Sequence, residues 1–254
     1  MRKVLILTAL LVVSLTAGAQ NYDVNRDGRV NVVDLAVLIN YVISPTSVNP
    51  PKEVVAVDLG LPSGTKWANM NVGATSPVDY GLFFAWGETT GYTSDTGDGR
   101  SFDWTTYKWG NGGNGQLTKY CTKSSAGTVD NIRMLYPEDD AGHVKWGGAW
   151  YMPTSTEFDE LLSNTTSELT TVNGVKGCKF TASNGNSIFL PAAGYRSNSI
   201  LENQGEVCFY WSSSLHTSNS RNARGYYCLD NDSGAGAGSY FRCSGRLVRP
   251  ILRK

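Results

Sequence analysis

The sequence predicts a mixed fold for most of this chain: short strands and few helices joined by long loops, with a small loop-and-helix module ahead of them. Three observations carry this. Glycines, 28 in 254 residues, and aromatics punctuate the middle of the chain. The strand-like apolar runs, Val54–Val57 and Asn186–Leu190, are brief. One stretch alone, PTSTEFDELL, carries the start signals of a well-formed helix.

A chain of 254 residues, 41% hydrophobic, is long enough for one medium domain with a real core plus a small module. Lys and Arg total 22 and so do Asp and Glu, so the net charge is zero. Nothing here favours electrostatic capture of nucleic acid or of an anionic membrane. Low charge with abundant Gly, Ser and Asn points to a loop-rich extracellular domain rather than to disorder.

Residues 1–19 have the build of a signal peptide. Arg2 and Lys3 precede the apolar run Val4–Val13, and Ala17-Gly18-Ala19 supplies an A-x-A cleavage site before Gln20. The run is too short to span a bilayer stably, and no second hydrophobic segment appears. No cysteine follows it as a lipobox would require. The expected mature protein is secreted or held at the cell surface without a membrane span, beginning near Gln20. Export permits disulfides, and the odd count of Cys121, Cys178, Cys208, Cys228 and Cys243 leaves at least one thiol free or intermolecular. Pairing among Cys208, Cys228 and Cys243 is one expectation; no pairing is the other. No C-x-x-C occurs.

The loop DVNRDGRVNVVD has the donor spacing of an EF-type calcium site. Asp23, Asn25, Asp27, Asn31 and Asp34 stand at positions 1, 3, 5, 9 and 12. Arg29 gives a backbone carbonyl at position 7, Gly28 permits the sharp turn, and Val30 fills the apolar position 8. Position 12 is Asp rather than Glu, and no helix precedes the loop. A helix does leave it: Leu35, Leu38, Ile39 and Val42 form one stripe that Ser44-Pro45 stops. This unit, residues 21–44, resembles a single dockerin type I repeat, which implies calcium as the ion and a cohesin as the partner. Dockerins carry two such repeats, and no good second copy is found. Loop positions 10 and 11, polar in partner-reading dockerins, are Val32 and Val33. A calcium-folded cap on its own chain is the other reading.

A Pro/Ser linker follows over residues 45–53. The large domain, 54–254, opens with the strand-like run Val54–Val57. Thr154 and Glu157 then make a capping box, with Phe158, Leu161 and Leu162 as the helix's buried face. A second short helix is expected near Thr128–Leu135.

Six motifs follow in order: VDLGLPSGTKWANMNVGA, FFAWGE, WYMPTSTEFDELL, LPAAGYR, YWSSS and GRLVRP. Together they resemble the Fibrobacter succinogenes major paralogous domain of secreted Bacteroidetes proteins, from about Val54 to Ile251. The resemblance implies a C-type-lectin-like fold, distantly akin to formylglycine-generating enzymes. That is an α+β domain with short antiparallel sheets, few helices and long ordered loops. Trp150, Pro153, Trp211, Arg246 and Arg249 are expected to be framework, with the guanidinium groups tying loops together.

No catalytic pattern stands out. His143 and His216 lie far apart, and neither H-E-x-x-H nor G-x-S-x-G occurs. Glu138-Asp139-Asp140 looks like a solvated turn, and Glu157, Asp159 and Glu160 follow the charge preference of a helix start. Cys228 and Cys243 lack the spacing of the copper-holding pair in formylglycine-generating enzymes. The lectin sugar-site motifs E-P-N, Q-P-D and W-N-D are missing.

Residues 212–246 have an unusual composition. They hold eight Ser, five Gly, four Arg, three Asn and three Tyr but no Lys, Glu or Gln. The whole chain has 21 residues of those last three types, so a window of this length would carry about three. Such a mixture is that of a paratope. Asn, Ser, Tyr, His, Asp, Arg, Cys and Gly are also products of randomising an AAC-type codon, whereas Lys, Glu and Gln are not. The window resembles the variable region of lectin-fold proteins diversified by retroelements; an ordinary Gly/Ser-rich surface loop is the plainer reading. The candidate binding face is His216, Ser218, Asn219, Arg221, Asn222, Tyr226, Tyr227, Asn231, Tyr240 and Arg242.

The expectation is therefore a secreted or surface-associated, non-catalytic binding protein whose extracellular ligand is a protein or a glycan. The rival is a dockerin-bearing accessory of polysaccharide degradation, by cohesin docking, glycan binding or glycoside hydrolysis.

Overall fold

The computed structural model describes residues 50–229 and 234–253. The expected calcium loop, the helix expected after it and most of the expected linker lie outside the described residues. What is described falls in one unit, Val48–Lys254.

Short antiparallel sheets dominate, with two α-helices among the described residues. Strands β1 (Ala56–Val57), β2 (Lys66–Ala68), β3 (Trp150–Tyr151) and β12 (Ile251–Leu252) form one sheet in the order β1-β2-β12-β3. The C-terminal strand thus lies between elements from the start and the middle of the domain. A second sheet is the meander β4 (Thr165–Val172), β5 (Val175–Ala182) and β6 (Ser187–Pro191). The hairpin β7 (Tyr195–Ser197) and β8 (Ile200–Glu202) follows. The last sheet is β9 (Val207–Leu215), β10 (Asn222–Leu229) and β11 (Ala235–Phe241), with β10 in the centre. The expected strands at 54–57 and 186–190 sit at Ala56–Val57 and Ser187–Pro191.

Helix α2, Ser155–Asn164, begins as its sequence specifies. The Thr154 hydroxyl accepts the Glu157 amide at 3.2 Å, and a Glu157 carboxylate oxygen accepts the Thr154 amide at 2.7 Å. Phe158 and Leu161 are fully buried and Leu162 partly so. Phe158 packs edge-on to Trp67 and stacks on Tyr226 with ring centroids 4.0 Å apart.

Two local expectations fail. Residues 128–135 form no helix, because the Asp130 carboxylate draws in the amides of Tyr120, Cys121 and Ile132. Leu135 then bonds to the Ser213 carbonyl, which pins the segment alongside β9. The short helix α1 lies further on, at Ala141–Trp146. Nor is Glu138-Asp139-Asp140 a solvated turn, since Asp139 and Asp140 are each only 2% exposed. Asp139 accepts bonds from the Lys119 ammonium and the Tyr120 hydroxyl, both at 2.6 Å. Asp140 caps α1 through the His143 amide and takes the Met152 amide as well.

The framework expectation for Trp150, Trp211, Arg246 and Arg249 is met in burial. Four arginines lie inside the domain. Arg196 holds Asp98 with both amino groups, at 2.6 and 3.0 Å, though its Nε has no partner among the described residues. Arg242 donates to the Tyr107 hydroxyl and to the carbonyls of Lys119, Tyr120 and Ser220. Arg249 donates to the Asn71 amide oxygen and to the carbonyls of Ala68 and Phe189, all within 3.0 Å. Buried polar groups carry little penalty when so matched. Arg246 differs.

Candidate ligand face

The β9–β10–β11 sheet sorts its side chains by alternation, because successive residues of a strand point to opposite faces. Cys208 and Tyr210 on β9, with Tyr226 and Cys228 on β10, join the core. The other face follows from register. Phe209 stands opposite Tyr227, which stands opposite Gly236; Trp211 stands opposite Gly225, which stands opposite Gly238; Tyr240 stands opposite Ala223. This face is aromatic with a glycine floor; Trp211 and Ala223 on it are fully buried in a second core cluster, and Phe209, Tyr227 and Tyr240 are its partly exposed rings.

The floor has a steric reason. A Cβ on Gly225 would lie 3.0 Å from the Tyr240 ring, and one on Gly236 would lie 2.8 Å from the Tyr227 hydroxyl. A Cβ on Gly238 would run into the Tyr240 ring and hydroxyl. The two tyrosines therefore lie down over backbone that only glycine leaves clear. The Phe209 ring meets those of Tyr240 and Tyr195 edge-on, with centroids 5.1 and 5.4 Å apart.

Arg246 reaches this face from the chain segment after β11. Its backbone is clamped by paired bonds with Phe84, at 2.9 and 3.0 Å. Its guanidinium carbon lies 3.8 Å from the Tyr240 ring centre, 4.4 Å from Phe209, and 5.1 Å from both Trp211 and Tyr195. The side chain is buried, and its Nε and Nη1 atoms have no hydrogen-bond partner among the described residues. Desolvation pulls its pKa down to about 10, so it still carries its charge at neutral pH. Ring faces attract a cation, yet they leave planar N–H donors aimed at no oxygen.

The residues singled out from sequence divide into three groups. Tyr227 and Tyr240 lie on the aromatic face, half-buried. His216, Ser218, Asn219, Arg221 and Asn222 gather at the turn between β9 and β10. There the His216 Nδ1 accepts the amides of Ser218 and Asn219, at 3.4 and 3.2 Å, which staples the turn. Desolvation and the nearby Arg224 charge lower the His216 pKa, favouring that neutral acceptor. Arg221 ties the turn to the long loop before α1 through the carbonyls of Asn114 and Ser125, both at 2.7 Å. The Asn222 Oδ1 is buried without a partner.

Tyr226 and Arg242 correct the candidate set, because neither faces solvent. Tyr226 stacks on Phe158 and donates to the Ser155 carbonyl or to Asp159; Arg242 is the four-bonded tie described above. Asn231 lies outside the described residues. Arg246, Phe209 and Tyr195 were missed as members of the face. The alternation of aromatics in CFYW and the one in GSY hold the only signal that could have found it, and it becomes legible once the register of three strands is known.

The carboxylates at the start of α2 each have a structural occupation. Glu157 closes the capping box and pairs with Arg253, Asp159 accepts from Tyr226, and Glu160 accepts from Ser63. Burial holds the Asp140 carboxyl up at about 6 despite its amide bonds.

The cysteine expectation changes too. All five are free, buried thiols, so none of the pairings expected among Cys208, Cys228 and Cys243 is formed. Cys208 and Cys228 are register partners on β9 and β10, and the Cys208 thiol donates to the Leu190 carbonyl at 3.2 Å.

Among the described residues no group of three or more His, Cys, Asp or Glu is placed to hold a metal ion. No helix among them is long and apolar enough to cross a membrane. The expected calcium donors Asp23, Asn25, Asp27, Arg29, Asn31 and Asp34 all lie outside the described residues. Comparison with protein families finds a dockerin type I domain over residues 6–55, a span that contains all six donors. It begins within the apolar run Val4–Val13 and ends at residue 55, beyond the 21–44 unit read from the loop. No curated protein matches the chain, and no solved structure does. Dockerin type I domains bind calcium, and the oxygen-only donor set of this loop suits that ion.

Proposed function

We propose that this is an extracellular, non-catalytic binding protein. Its large domain presents a ligand face on a C-type-lectin-like scaffold of the Fibrobacter major paralogous type, and its N-terminal dockerin-type loop binds calcium. The observation that carries the reading is Arg246, a charged side chain whose Nε and Nη1 lack acceptors, set among the rings of Tyr195, Phe209, Trp211 and Tyr240. A framework arginine would be expected to tie carbonyls, as Arg249 does. Half-buried aromatic rings beside a strong donor are a common means of gripping a polar ligand with apolar faces, such as a sugar or a protein loop. The composition of residues 212–246 supports retroelement diversification of that face, and sequencing of several isolates for adenine-templated changes in the window tests it. Invariant codons would end that part of the proposal.

The test of binding is a glycan array run beside a hydrolysis screen. Retention without turnover is expected, and it should be lost in Tyr240→Ala while the far-ultraviolet circular dichroism is unchanged. Turnover of any glycan would overturn the non-catalytic reading.

The dockerin match favours a second reading, in which the N-terminal unit docks the protein to a cohesin. Val32 and Val33 at the partner-reading positions and the lack of a second repeat favour a structural ion instead. Calcium titration by calorimetry with a cohesin pull-down separates these. Asp23→Ala combined with Asp27→Ala should abolish calcium uptake and leave the melting of the large domain in place. Cooperative loss of both would show that the loop is part of the large domain's core.

A further inference from the structure

Of the four arginines inside the domain, three have their charge answered. Arg196 pairs with Asp98, while Arg242 and Arg249 fill their donors with carbonyls and side-chain oxygens. Arg246 is 4% exposed, yet its guanidinium meets neither an acid nor a carbonyl among the described residues. A desolvated cation without a counter-charge is costly, and an anion that arrives to meet it recovers that cost.

The four rings around the guanidinium are of two kinds. Trp211 is fully buried, and its indole N–H donates to the Phe84 carbonyl at 2.8 Å. Phe84 also clamps the Arg246 backbone, so the arginine and its innermost ring are fixed by one residue. Tyr195, Phe209 and Tyr240 are each partly exposed. Tyr195 is tied by its hydroxyl to Glu202 at 2.7 Å, which leaves Phe209 and Tyr240 as the rings that can give way. Tyr240 lies nearest the charge, at 3.8 Å, with glycine backbone beside it.

We infer that the ligand of this face is an acidic sugar, a pyranose whose anionic group, a uronate carboxylate or a sulfate ester, pairs with the Arg246 guanidinium. This rests on the reading of the face as a ligand site. The rings take up the guanidinium's faces, so its free N–H bonds point outward in its own plane. There two oxygens of one anionic group can accept them side by side. Entry turns the Tyr240 ring aside, and the cation–ring attraction given up is replaced by a charge-assisted pair. The flat C–H side of the pyranose then lies on the partly exposed rings. A neutral sugar would meet those rings and leave the charge unanswered. An acidic peptide fits less well, because the backbone of β10 beneath the rings is already paired on both sides and has no amides to offer it.

The full chain is tested by calorimetry against trigalacturonate, the methyl ester of that trimer, a sulfated galactan oligomer, its desulfated form and an acidic peptide. Binding of the uronate or of the sulfated oligomer is expected, and which of them binds identifies the anionic group. Removing the charge by esterification or desulfation should weaken binding about tenfold or more. In Arg246→Gln the charged and uncharged forms should bind within about twofold of each other. That ratio is taken within one variant, so lost stability does not imitate it. In the unaltered chain, the Arg246 Nε–H resonance should move with the acidic oligomer and stay still with its neutral form, which reads the contact without any substitution. Equal binding of charged and neutral forms, or a preference that survives Arg246→Gln, would overturn the inference and leave glycan binding standing. Binding of the acidic peptide alone would overturn the sugar assignment. No binding to any of the five would overturn the inference together with the ligand-face reading beneath it.

Discussion

Arg246 and Arg249 stand three residues apart and are both buried, yet their guanidinium groups meet opposite surroundings. Arg249 binds three oxygens from two parts of the chain: Ala68 at the end of β2 with Asn71 just beyond it, and Phe189 in β6. Arg246 is wrapped in four aromatic rings and aims Nε and Nη1 at none. Burial lowers the pKa of each to about 10, so desolvation is not what separates them. The difference lies in what the charge serves. Arg249 closes the fold by satisfying carbonyls that would otherwise be buried unpaired. Arg246 is held charged and underused beside half-buried rings, a condition that costs stability unless something else gains from it.

The comparison can be broken by substitution. The largest effect is expected for Arg249→Met, which strands three buried acceptors at once and should cost about 3–5 kcal/mol in urea unfolding. Arg246→Met strands none and removes only cation–ring attraction, so about 1–2 kcal/mol is expected. Equal losses for the two would return Arg246 to the framework and remove the main support for a ligand face. Tyr240→Ala sharpens the contrast further: it should cost about 1–2 kcal/mol, since the ring is only half-buried, and should abolish ligand retention.

The smallest effect is one of pH. Burial raises the Asp140 carboxyl to about 6, above its value in the unfolded chain. The folded state therefore holds the extra proton between about pH 4 and pH 6. Stability contributed by this group is full below that window and is lost as pH rises through it. Asp140→Asn should flatten the slope of unfolding free energy against pH there, and an unchanged slope would mean that its amide bonds outweigh burial.

Local signals in the sequence were legible where one segment decides its own structure. The capping box of α2 needs only Thr154 and Glu157, and it forms as spaced. The helix expected at 128–135 failed because distant groups decide it: Asp130 gathers the amides of Tyr120 and Cys121, and β9 takes Leu135. Asp139 looked solvated because its partners Lys119 and Tyr120 lie 20 and 19 residues earlier. The face shows the same division. Tyr227 and Tyr240 were picked out by composition, which also swept in Tyr226 and Arg242, because composition does not know which side of a strand a residue takes. Arg246 could be read as buried but not as unpartnered, since the absence of an acceptor is a property of the folded surroundings.

The glycine floor sets rules for change on this face. Gly225 is fixed twice over, since an added methyl would also meet the Tyr210 carbonyl at 2.9 Å. Tyr227 and Tyr240, by contrast, are only half-buried and can be replaced without a clash against backbone. A lineage that altered the rings while keeping Gly225, Gly236 and Gly238 would vary its specificity without disturbing the sheet. One that altered the glycines would lift the rings off their seats and lose the face altogether. The three small residues act as a mounting plate, and what is mounted on it can be exchanged.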